Sequence, residues 1–169
     1  MKKIIEVPHF GQFYNIEDDK WQGRSCGIAS LAMVLDYYGV KVDLNELIEK
    51  ALVLGGYVEG VGWKHQVIVD LAKEYGFKSE RTEDDKVENL VAALNKNEPV
   101  VVSIHKSFDP ENGGHLAVLC GYFATDEEGV EGFYVNDPIG PQYKHKYQLI
   151  ELEKFMDCWK KRAIYISKK

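Results

Sequence analysis

Ser25-Cys26-Gly27-Ile28-Ala29-Ser30-Leu31-Ala32-Met33-Val34-Leu35-Asp36-Tyr37-Tyr38-Gly39 reads as a buried helix with a thiol in its first turn. Ser25 suits the N-cap, where its hydroxyl can accept from an amide just downstream, and Gly39 suits the left-handed residue that closes a helix. Apart from Ser30 and Asp36 the run is apolar nearly all round, the pattern of a helix packed inside a domain rather than across its surface. The first N–H groups of a helix lack internal partners, and its N-terminal end carries about half a positive charge. A cysteine placed there is expected to have a lowered pKa. The Cys26 N–H is also free to bond a carbonyl oxygen as it becomes an oxyanion. A lone cysteine is more often a small buried hydrophobe, so support for chemistry has to come from elsewhere in the chain.

Composition narrows the classes. A chain of 169 residues is most simply one domain, 1–169, long enough to build a core without staples. No apolar run approaches the roughly 18 residues of a membrane span, and Glu6 and Pro8 interrupt any signal-peptide core, so no membrane span is expected. The net charge of −6 argues against nucleic acid as a partner, and Lys160-Lys161-Arg162 reads as a solvated face. Cys26, Cys120 and Cys158 are odd in number and widely spaced, which suits a reducing cytoplasm rather than a disulfide framework or zinc site. Cys120 falls in an apolar strand and Cys158 in an amphipathic helix, both as core. His9, His65, His105 and His145 show no ligand spacing, so no metal or cofactor is expected.

Taken in order, Ile4 to Val7 predicts a short strand, and a polar, aromatic loop from Pro8 to Arg24 delivers the chain to Cys26. That loop carries Gln12 and Gln22. Asp43 predicts an N-cap for a helix with Leu44, Leu47, Ile48, Ala51 and Leu52 on one face. Gly55 to Gly62 reads as a glycine-rich turn, with cleft lining as the alternative. A helix from Trp63 to Tyr75, a strand from Phe77 to Arg81 and a helix starting at Asp85 follow. Pro99 to Ile104 is β-branched and apolar, as in a strand buried on both faces. Further strands are expected at His115–Ala124, Val130–Asp137, Gln142–Ile150 and Arg162–Ser167, with a helix over Glu151–Trp159. Helices first and mostly antiparallel strands afterwards predict an α+β fold, the Cys-bearing helix packed on the sheet.

The polar turn Thr125-Asp126-Glu127-Glu128-Gly129 joins two of these strands into a hairpin. If its centre falls near Asp126 or Glu127, His115 lies opposite Asp137 or one pair beyond it, on the same face. Opposed residues have Cβ atoms about 5 Å apart and diagonal ones about 7–8 Å, so the carboxylate can reach one imidazole nitrogen and fix its tautomer. The other nitrogen then remains for a thiol. Asn136 falls on the opposite face by parity. A helix-capping cysteine, a histidine and an aspartate supply nucleophile, base and orienter.

Val7-Pro8-His9-Phe10-Gly11-Gln12, the Cys26-Gly27 helix, Gly114-His115 before an apolar strand, and Val135-Asn136-Asp137-Pro138 come in this order. Together they resemble papain-like cysteine peptidase family thirty-nine, related to the bacteriocin leader peptidases, over Val7 to Pro138. The resemblance implies a papain-like fold, a bacterial origin, Cys26 as nucleophile, His115 as general base, Asp137 as orienter and a glutamine in the oxyanion hole. In the transporter-linked members that glutamine lies six positions before the cysteine, where this chain has Lys20. Gln12 fits the pattern of stand-alone relatives, and Gln22 is the alternative.

The expected activity is therefore a thiol peptidase acting on a peptide or protein substrate. Acyl transfer by the same site, as in transglutaminase-like or phytochelatin-synthase-like enzymes, and a non-catalytic peptide-binding module are the alternatives. Glu59, Asp109 and Glu111, beside Tyr57 and Phe108 in loops expected to flank the cleft, hint at basic or apolar substrate segments. Trp21, Tyr14 and Trp63 are further candidate cleft aromatics, with packing as the simpler role for each.

Overall fold

The computed structural model describes residues 1–169. Strand β1 (Lys2–Ile4) and the single-turn helix α1 (Asp19–Gln22) precede the central helix α2 (Cys26–Tyr37), and α3 (Leu44–Val53) follows. The two-residue strands β2 (Tyr57–Val58) and β3 (Gly62–Trp63) form a small hairpin ahead of α4 (His65–Glu74). Then come β4 (Phe77–Thr82), α5 (Val87–Asn95), β5 (Val100–His105), β6 (Gly114–Thr125) and β7 (Gly129–Asn136). The chain ends with α6 (Gln142–His145), β8 (Gln148–Glu151), α7 (Leu152–Cys158) and β9 (Trp159–Lys168).

The seven-stranded sheet runs β4-β9-β5-β6-β7-β8, with β1 paired to the second half of β6. Every pairing is antiparallel. Helix α2 is buried continuously from Gly27 to Leu35, because it lies between β6 on one side and α3 and α4 on the other. A helix enclosed in this way can be apolar nearly all round. Gly39 ends the turn after α2 at φ +89°, the left-handed conformation its lack of a Cβ allows. Gly121 permits the close approach of β1: a Cβ there would lie 2.1 Å from the Lys3 carbonyl oxygen.

Several expectations shift. The first strand sits two residues earlier than the apolar residues suggest, because pairing with Gly121–Phe123 sets its register. The loop from Pro8 to Arg24 contains α1, capped by Asp18, which accepts from the Lys20 N–H at 2.9 Å. Gln142–Ile150 is not one strand. Pro141 opens the turn of α6, and the Lys144 and His145 N–H groups bond back to its carbonyl at 3.2 and 3.1 Å before β8 begins.

Candidate active site

The hairpin of β6 and β7 turns between Thr125 and Gly129, and two register irregularities, near Cys120 and after Phe123, leave Val118 paired with Asn136. Extending that register sets Asp137 beside Ala117 and diagonal to His115, on one face. The two side chains meet: His115 Nε2 lies 2.7 Å from Asp137 Oδ1, with both groups almost wholly shielded from solvent. Asn136 points the other way, donating to the Val7 and Pro8 carbonyls at 3.0 and 3.2 Å and accepting from the Tyr147 N–H at 2.9 Å.

Cys26 begins α2 and is half-buried at the floor of a cleft of about 880 Å³. Its sulfur accepts from the Leu116 N–H at 3.3 Å and lies within hydrogen-bonding reach of His115. Burial pushes the thiol up. The hydrogen bond and charge of His115, with the Leu116 and Gly27 N–H groups, outweigh burial and hold the thiol below its ordinary range. His115 moves in the complementary direction: burial pushes it down, but Asp137 and the Cys26 sulfur raise it to about 10. The arrangement favours a thiolate–imidazolium pair, the reactive form of a cysteine nucleophile. Burial pushes both other thiols, Cys120 and Cys158, upward, and they pack in the core.

Ser25 is the expected N-cap by position but not by bonding. Its hydroxyl makes no cap hydrogen bond and instead accepts from Trp63 Nε1 at 3.3 Å. That contact fastens Trp63 to the start of α2, and Trp63 in turn packs on Trp21 and Tyr57 with ring centroids 5.2 and 5.1 Å away. The glycine-rich segment thus builds a cleft wall, as Tyr57 and Glu59 to Trp63 all face the space above Cys26. Of the other aromatics, Phe108 is buried, while Tyr14 is exposed and outside the lining.

Gln12 reaches the same cleft across the loop, although it lies well before Cys26 in sequence. Its Nε2 donates to the Gln22 carbonyl at 2.7 Å, while its buried Oε1 has no hydrogen-bond partner in the protein. An orphaned buried amide oxygen is a cost that packing does not explain. Gln22 turns its own side chain to the Ile16 carbonyl, 2.9 Å away, and is not among the lining residues. Lys20 is exposed on α1.

Sequence reading missed the braces behind Asp137. Its carboxylate accepts from the Ile139 N–H at 3.0 Å, its carbonyl lies 2.7 Å from His9 Nε2, and its N–H donates to the His145 carbonyl at 2.9 Å. No ligand spacing marks His9 or His145, because the His9 ring meets a backbone carbonyl and His145 offers its own, contacts that only folding brings about. The charge of the cleft also differs from the expectation. Asp109 and Glu111 lie outside the lining, whereas Lys160 and Arg162, expected on a solvated face, are part of it.

No helix is long and apolar enough to cross a membrane. No curated relative matches the chain. Among solved structures it resembles a protein of Bacillus anthracis assigned as a C39-like peptidase, with TM-score 0.75 and 23% identity, covering 100% of this chain and 98% of that one. The peptidase domain of Streptococcus ComA, a bifunctional ABC transporter of a quorum-sensing pathway, gives TM-score 0.66 and 24% identity over 90% of this chain and 96% of that one. A double-glycine-motif protease from an AMS/PCAT transporter, solved with its leader peptide, gives TM-score 0.66 and 21% identity over 100% and 99%. These likenesses establish the fold expected from the sequence, a helical half with a central Cys-bearing helix on an antiparallel sheet. The model of the peptidase C39-like family matches residues 4–165, and the chain therefore belongs to that family of cysteine peptidases.

Proposed function

We propose that the chain hydrolyses peptide bonds through a thioester acyl-enzyme, with Cys26 as nucleophile, His115 as general base and acid, Asp137 as orienter and Gln12 completing the oxyanion hole. The observation that carries this reading is the 2.7 Å contact of His115 Nε2 with Asp137 Oδ1, with the same imidazole acting to lower the Cys26 thiol in an open cleft. With Nε2 engaged by Asp137, Nδ1 is the ring nitrogen left for the sulfur. The thiolate attacks a peptide carbonyl carbon, whose oxygen turns toward the Cys26 N–H and the Gln12 amide hydrogen that Gln22 does not use. The imidazolium gives its proton to the departing amine, leaving a thioester on Sγ. Water then attacks the thioester carbon, His115 takes the water proton, and the product acid leaves as the thiolate re-forms.

A peptide or protein is the proposed partner, a reading supported by the leader peptide bound to the double-glycine-motif protease. Residues 1–169 are proposed to work as one domain, since one core of 45 buried apolar residues runs through helices and sheet. The proposed setting is a reducing one, the cytoplasm, where the thiolate stays reduced beside two further free cysteines.

The test incubates wild type and Cys26→Ala with a diverse peptide pool, with and without added amines, and reads products by mass spectrometry. Hydrolysis that requires Cys26 is the expected result. Amine-capped products would replace hydrolysis by acyl transfer, and retention of peptides without any product would replace it by a binding module.

A further inference from the structure

The cleft continues from Cys26 across the sheet to a wall of positive charge. Leu116 on β6, Ser103 on β5 and Arg162 on β9 pair in register across three adjacent strands, and all three line the cleft. Neighbouring strands lie about 4.8 Å apart, so Arg162 stands roughly 10 Å from the strand that carries His115, the reach of about three residues of extended peptide. Lys160 on β9 and Arg81 on β4 belong to the same wall.

This concentration runs against the chain's balance of 27 acidic to 21 basic residues. Ion pairs join Arg24 to Glu59, Lys41 to Asp36 and His115 to Asp137, and none involves Arg81, Lys160 or Arg162. Lys160 and Arg162 are half-buried along the cleft, and neither has a carboxylate partner. Arg81 donates to Gln66 Oε1 at 3.1 Å, and Gln66 in turn donates to Asp70 at 2.9 Å, which puts a neutral amide between the guanidinium and the nearest carboxylate in that chain. Glu59 is the acidic side chain in the lining, and it already faces Arg24 at 3.8 Å. His65, which lines the same corner, responds to the field: burial and then the charges of Arg162, Arg81 and Lys160 all push it down.

Like charges gathered in a cleft create a potential that favours an anionic ligand, and a guanidinium fork matches a carboxylate in two parallel hydrogen bonds. We propose that this wall is a subsite for an acidic side chain of the substrate, so that the peptide cleaved at Cys26 carries Asp or Glu within about three residues of the scissile bond, held by Arg162 and Arg81. The proposal rests on the peptidase reading for the position of the bond, but the binding preference stands separately from the chemistry.

The test maps bonds cleaved in a proteome-derived peptide pool by wild type and by an Arg81→Gln/Arg162→Gln double variant, each checked for an unchanged thermal transition. Wild type is expected to enrich Asp and Glu about fivefold on one side of the cleaved bond, and the double variant to lose that enrichment. In wild type alone, about 0.5 M sodium chloride should weaken it as well, because charges that meet in a cleft open to solvent are screened at that strength. No acidic enrichment, or enrichment that survives both the double substitution and the salt, overturns the subsite. If no cleavage depends on Cys26, the peptidase reading fails, and peptides retained by immobilised wild type decide the subsite. Acidic enrichment among retained peptides that the salt removes upholds it, and its absence overturns it.

Discussion

His115 Nε2 and Asp137 Oδ1 lie 2.7 Å apart, and the pair is almost fully shielded from water. A buried imidazole resists protonation unless a carboxylate stabilises the cation, and here the carboxylate is held in place by Ile139 and by the His9 and His145 contacts to its backbone. The same bond fixes which ring nitrogen remains for Cys26. Asp137→Asn is therefore expected to keep the shape and lower kcat about a thousandfold or more, as when a triad histidine loses its anionic orienter. The raised His115 value gives a pH signature. A pKa raised from 6.5 to about 10 contributes stability that is fully present below 6.5 and lost as pH rises through about 10. The melting-temperature gap between wild type and Asp137→Asn should thus be widest near pH 6 and narrow on the alkaline side. A gap that widens with rising pH would contradict the pairing.

Gln12 and Gln22 are separable by kinetics. Gln12 lines the cleft with one amide hydrogen uncommitted, whereas the Gln22 side chain is spent on the Ile16 carbonyl. Gln12→Ala should lower kcat about a hundredfold, the scale for one oxyanion donor, while leaving the rate of Cys26 alkylation unchanged. Gln22→Ala should leave kcat close to wild type. The reverse order would move the oxyanion role to Gln22.

Asn136 has a structural task that stability measurements can isolate. It is fully buried and ties the Val7 and Pro8 carbonyls to the Tyr147 N–H, closing the N-terminal segment over the end of β7. Asn136→Ala strands these groups, each worth about 1–3 kcal/mol when left unsatisfied, so a loss of about 3 kcal/mol is expected in urea denaturation. A loss below about 1 kcal/mol would mean that the segment finds other partners.

What was legible in the sequence followed from short-range rules. The apolar run after Cys26, the β-branched Val100–Ile104 segment and the Thr125–Gly129 turn each specify their element locally, and hairpin parity alone placed His115 and Asp137 together and Asn136 apart. What escaped depended on long-range assembly. The position of Ser25 suits a cap for its own helix, yet Trp63 from the β3 strand claims its hydroxyl. Gln142–His145 looked extended until Pro141 turned it into a helical turn that supports Asp137. The cationic wall draws on β4 and β9, which are far apart in sequence and adjacent only in the sheet. No local pattern in Lys160-Lys161-Arg162 separates cleft lining from solvated surface.

The central claim is that Cys26 and His115 form a thiolate–imidazolium pair, and it can be tested without knowing the substrate. The measurement is the pH dependence of iodoacetamide alkylation at Cys26, mapped by mass spectrometry in wild type and His115→Ala, with Cys120 and Cys158 as internal controls. The account predicts that wild-type Cys26 reacts well below the pH range of an ordinary thiol, ahead of both buried cysteines, and that His115→Ala moves its profile to higher pH. A wild-type profile with a single step in the ordinary thiol range, unchanged in His115→Ala, would contradict it.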